Sequence, residues 1–133
     1  MTEYPLDRVD WRKLGEMILA SRSASENYRG LARCFQGWQS QALLTMAREA
    51  GAQATCLAGI RTLITGEEYR PAPVPPDAGL PAARLKKAYI RTMGLLSGCE
   101  AWAADPEYGP VFQRLAQRQQ DHCRKILEII GSM

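Results

Sequence analysis

The chain has 133 residues, 46% hydrophobic and 23% charged, with a net charge of +3 from 17 Lys+Arg against 14 Asp+Glu. That is enough chain for one core without disulfides or a structural metal, so a single domain over residues 1–133 is expected. The small positive excess is spread along the sequence, which argues against a nucleic-acid binder, and a lone histidine, His122, excludes a multi-histidine site within one chain.

Glycine and proline divide the sequence into four stretches of helical period, with no period-two alternation. The first helix is expected over about residues 10–36. Pro5 precedes it, Asp10 is its N-cap and Gly37 lies past its end. Its inward stripe reads Leu14, Ile18, Ser21, Ser25, Tyr28, Ala32, Phe35. The second, about 40–65 and closed by Gly66, carries Leu43, Met46, Ala50, Gln53, Leu57, Ile60, Ile64. The third, about 81–104, opens on Pro81, where a missing N–H does no harm, and stops before Asp105-Pro106. Its stripe is Leu85, Ala88, Thr92, Leu96, Cys99, Ala103. The fourth, about 110–130, presents Phe112, Leu115, Gln119, His122, Ile126, Ile129.

Four similar helices with one apolar face each make an all-α four-helix bundle. Short links make helices one and two, and three and four, antiparallel hairpins. The proline-rich stretch from Gly66 to Leu80 can reach about 45 Å when extended, the length of the bundle, and so can act as a long crossover that sets helices two and three parallel. The alternative is an up-down-up-down bundle with a loose loop. A weak internal repeat aligns Leu43, Met46, Ala47, Ala50, Gln53 with Phe112, Leu115, Ala116, Gln119, His122.

No apolar stretch approaches the length of a membrane span, and the opening Met-Thr-Glu-Tyr-Pro-Leu-Asp-Arg is unlike a signal peptide. A cytoplasmic protein is expected, without membrane or nucleic-acid partners. Cys34, Cys56, Cys99 and Cys123 lie far apart with no C-x-x-C pair, which disfavours a zinc knuckle or redox dithiol.

Ser21, Gln53, Thr92, Gln119 and His122 stand out as polar residues at mid-height on inward stripes. Buried polar groups must find partners or cost about 1–3 kcal/mol each, so a polar network or the remnant of a site is expected here. The plain reading makes His122 a buried histidine hydrogen-bonded to Gln53 or Gln119. It makes Cys56, Cys99 and Cys123 core fillers, and Tyr28, Tyr89, Trp38 and Trp102 packing residues. Arg84, Lys86, Lys87 and Arg91 read as a solvated face, the alternative being a site for anionic partners.

Three segments carry a family resemblance. Ala47 to Leu57 with the trailing Leu63-Ile64-Thr65-Gly66-Glu67 resembles the second helix of ferritin-like, rubrerythrin-like proteins. Asp105 to Phe112, continuing through Leu115-Ala116-Gln117-Arg118-Gln119-Gln120-Asp121-His122, resembles their fourth. Glu26 to Ala32 resembles the second half of their first. The resemblance implies a ferritin-like bundle. In such bundles two irons are held by a Glu from helices one and three and a Glu-x-x-His from helices two and four. Those positions fall here on Ser21, Thr92, Ala50 with Gln53, and Gln119 with His122, so only His122 keeps a ligand type and every carboxylate is missing. Iron pairs need hard anionic ligands, so Gln53, Gln119 and His122 are expected as vestigial metal positions, without catalytic residues or cofactor.

The function expected is a non-catalytic binding or interaction protein. Its partner would be another protein or a small molecule in the former metal cavity, and the chain is expected as a homodimer. The alternative is a diiron oxidase or peroxidase holding iron through relocated or shared ligands; a relocated mononuclear site would instead use His122 with Glu49, Glu100 or Cys99.

Overall fold

In a computed structural model, which describes residues 9–133, four helices and no strands are found among the described residues. Pro5 and the polar opening segment lie outside them.

Helix α1 (Trp11–Ala32) starts where expected: Asp10 is extended and its carboxylate accepts the Arg12 N–H at 2.9 Å. It ends four residues before the expected boundary. Its last turn tightens as the Cys34 N–H donates to the Leu31 carbonyl at 2.8 Å, and the Ser40 hydroxyl caps the Ala32 carbonyl at 2.9 Å. Gly37, expected to trail α1, adopts φ 66° and serves as the N-cap of α2 (Trp38–Thr65). That helix ends at Gly66, whose φ of 74° suits glycine and whose N–H closes on the Thr62 carbonyl.

Helix α3 (Pro81–Ala101) stops three residues early because the following turn belongs to α4 (Gly109–Gly131). The buried Asp105 carboxylate organises that turn. It accepts the N–H groups of Glu107 at 2.9 Å and Tyr108 at 2.8 Å, and reaches Val9 at 3.0 Å. Gly109 is pressed so close that a Cβ there would stand 2.6 Å from the Ala103 carbonyl oxygen.

Most of the expected inward residues are buried, including the whole α4 stripe. Phe35, Leu96 and Ala103 are only partly buried, and Ile64 is exposed. Leu95, three residues beyond Thr92, takes the inward place expected of Leu96. Cys56 is exposed rather than core, since Gln53 and Leu57 occupy the inward positions around it. Trp38 is 48% exposed, whereas Trp102 packs edge-on against Phe112. Among the described residues no helix is long and apolar enough to cross a membrane.

Helix α1 packs on α2 and α3, and α4 on α3 and α2. Contacts run in opposite order along α1 and α2, with Gln53 meeting Ser21 and Ala47 meeting Ser25. Met17 meets Gly98 and Tyr28 meets Thr92, so α1 and α3 are antiparallel as well. The 66–80 segment follows α1: Arg22 donates to the Ala72 carbonyl, and the Asp77 N–H donates to Asn27 Oδ1 at 2.7 Å.

Two apolar clusters fill the interior. One gathers Leu14, Ile18, Leu57, Leu95, Cys99, Trp102 and Phe112. The other gathers Tyr28, Leu31, Leu43, Met46, Leu85, Ile126 and Ile129. Each large buried side chain contributes about 1.5–3 kcal/mol. On every helix a polar residue falls between the two: Ser21, Gln53, Thr92, and Gln119 with His122.

Candidate functional site: a polar layer at mid-bundle

The layer begins with three neutral side chains in line. Gln53 Nε2 donates to Ser21 Oγ at 3.0 Å, and Gln119 Nε2 donates to Gln53 Oε1. All three residues are buried. An amide carries both donor and acceptor, so Gln53 can link a hydroxyl on one side to an amide on the other without introducing charge. The helical period explains the placement. Gln53 falls between the inward Ala50 and Leu57, and Gln119 between Leu115 and His122.

Thr92 is satisfied separately. Its hydroxyl donates to the Ala88 carbonyl at 2.7 Å and stands 2.7 Å from the Tyr28 hydroxyl. With the threonine proton committed to Ala88, Tyr28 is the donor between them. Burial pushes the Tyr28 pKa up to about 12, so the phenol stays protonated. Ser25 donates to the Ala47 carbonyl at 2.7 Å, which removes one more hydroxyl from the layer.

His122 closes the layer on its outer side. Its ring is 3% exposed and stands edge-on to the Tyr28 ring, with centroids 5.7 Å apart. Nε2 lies 3.2 Å from Glu49 Oε1, and an ionised carboxylate only accepts, so the imidazole carries its proton on Nε2. Arg118 holds the other oxygen of Glu49, with Nε at 3.7 Å from Oε2. Burial lowers the His122 pKa from its ordinary value, and Glu49 pulls in the opposite direction without overcoming it.

The expected pairing of His122 with Gln53 or Gln119 is therefore replaced. The two glutamines bond to each other, and the histidine takes Glu49. Of the acids and thiols considered for a relocated site, Glu49 alone meets the imidazole. Glu100 is exposed, and Cys99 sits within the first apolar cluster, its pKa pushed up to about 12 by burial. The Glu49–His122–Arg118 contact could not be read from the sequence, although Glu49 at the edge of its stripe was the usable signal.

The donor set does not fit a pair of iron ions. Two cations at this level would need several anionic ligands, and among the described residues the only carboxylate hydrogen-bonded to the layer is Glu49, already shared between His122 and Arg118. Among the described residues no three His, Cys, Asp or Glu side chains are grouped as a metal ion would require.

Between α2 and α4 a cleft of about 240 Å³ reaches the layer from outside. Its lining includes Gln53, Cys56, Arg114, Leu115 and Arg118. It offers a small polar molecule a thiol and two guanidinium groups, the Gln53 amide in its wall being already bonded to Ser21 and Gln119.

No protein-family model, curated protein or solved structure matches this chain.

Proposed function

We propose that this chain is a ferritin-like, rubrerythrin-like bundle in which neutral side-chain hydrogen bonds stand in place of a diiron centre. It acts as a non-catalytic binding protein. The observation that carries the reading is the Ser21–Gln53–Gln119 line, uncharged and hydrogen-bonded at the level where such bundles place carboxylates. The connectivity proposed is two hairpins joined by a crossover over residues 66–80. It is supported by α2 and α3 both running opposite to α1, and by the 66–80 segment meeting Arg22 and then Asn27 along α1. A small polar molecule would sit in the α2–α4 cleft beside Arg114 and Arg118, outside the bonded Gln53. Self-association into a homodimer is part of the same proposal, with exposed Ile90 and Met93 on α3 as the apolar surface available to a second copy.

A second reading rests on the His122–Glu49 contact. One imidazole and one carboxylate are two ligands, and a second copy could supply the rest of an iron site for oxidase chemistry. Expression in iron-rich medium and purification without chelator separates the two readings. The proposal expects a folded helical protein with well under one iron per chain. Near one iron per chain, two per pair of chains, with an oxo-bridge absorption would establish the second reading instead.

A further inference from the structure

Arg84 belongs to the basic run at the start of α3 but does not share its neighbours' exposure. Lys86 and Lys87 are exposed, whereas the Arg84 guanidinium lies against α1 at Gly30, where a Cβ would stand 2.9 Å from Nη2. Its Nη1 is 3.7 Å from Cys34 Sγ, a weak acceptor. Its Nε is buried and has no hydrogen-bond partner among the described protein atoms. No carboxylate among the described residues is paired with Arg84 or with Arg33.

These groups share one cavity of about 280 Å³, walled by Asn27, Arg29, Arg33, Val74, Pro76 and Arg84. Glu26 also borders it and is held by Arg29 at 2.9 Å. Three guanidinium groups against one carboxylate leave an excess of two positive charges around the cavity. Asn27 is already committed: its amide donates to Ser23, and its oxygen accepts from Asp77. A guanidinium taken partly out of water without a counter-charge is destabilising, and a bound anion would relieve that.

We propose that this cavity binds a doubly charged phosphate group, free or as a monoester. Arg84 and Arg33 are its main contacts, and Val74 and Pro76 lie against the carbon portion of an ester. The site is separate from the polar layer, and its test does not depend on metal content.

The test is calorimetric titration of the full chain at constant ionic strength, once with inorganic phosphate and once with glycerol phosphate. Saturable binding is expected. Arg84→Met and Arg33→Met should each weaken it by about tenfold or more, since each removes a charge-assisted contact. Arg33 is exposed, so its variant remains informative should Arg84→Met fold poorly. Arg12→Met, exposed in the first turn of α1 and away from this cavity, should leave the affinity unchanged. Tighter binding of the monoester would assign the site to a phosphorylated metabolite, and equal affinities would assign it to the phosphate group alone. Absence of saturable binding for both probes would overturn the proposal. So would an Arg12→Met variant weakened as much as Arg33→Met.

Discussion

Ser21, Gln53 and Gln119 are buried and carry no charge, whereas Glu49 and Arg118 beside them carry opposite charges and keep more than a third of their side chains exposed. The two sets are parts of one layer, divided by access to water. Inside, where a lone charge would be costly, amides and a hydroxyl satisfy one another as neutral groups. At the rim, solvent screens the charged pair and little stability depends on it. His122 stands at the division, its ring inside and its Nε2 bonded to the rim. Polarity in a helical core therefore does not require a charged or metal-bearing site, provided each donor meets an acceptor.

The apolar clusters on either side set the scale for breaking this arrangement. Phe112, fully buried against Trp102, is expected to give the largest loss: Phe112→Ala should cost about 3–5 kcal/mol in urea unfolding. Next comes the inner line. Gln53→Met keeps the bulk but strips Ser21 and Gln119 of their partner, with an expected loss of about 2–3 kcal/mol. Adding Gln119→Met to that variant should recover part of the loss, because one orphaned amide disappears. A double variant worse than the sum of the singles would break the comparison.

His122 supplies a pH signature. Its pKa is lowered on folding, so the unfolded chain binds the proton more readily. The imidazole is neutral in both states well above its ordinary value of about 6.5, and its burial is then undisturbed. As pH falls through and below that value, stability should drop. Unfolding midpoints measured from pH 8 to pH 5 should show the drop in the native chain and a shallower one in His122→Phe. Glu49→Gln removes the group that opposes the lowering and should steepen it. At pH 7 the same Glu49→Gln change is the smallest expected effect, below about 1 kcal/mol, because more than a third of each side chain in the Glu49–Arg118 pair is in water.

Much of the fold was legible because α4 is strongly amphipathic, and its stripe from Phe112 to Ile129 is buried as its period demands. The boundaries were harder to read. Gly37 looked like the end of α1 but begins α2, and Asp105 looked like a stop for α3 but arranges the turn into α4. Both residues serve the next helix, a distinction that needs the backbone path. Cys56 was read as core from its residue type, although its angular position on α2 placed it off the stripe. The level of the polar layer could be counted from the helix ends. Which polar group meets which depends on rotations of the helices about their axes, and this is why His122 was assigned to a glutamine instead of Glu49.

The claim that the inner line is a closed, neutral network can be tested on the side-chain amides themselves. In the ¹⁵N-labelled chain the amide signals of Gln53 and Gln119 should exchange slowly with solvent, as buried hydrogen-bonded groups do. They should also stay sharp when a paramagnetic divalent ion such as Mn²⁺ is titrated in. Rapid exchange of these amides, or their selective broadening together with His122, would show an open or metal-binding centre and contradict the closed network.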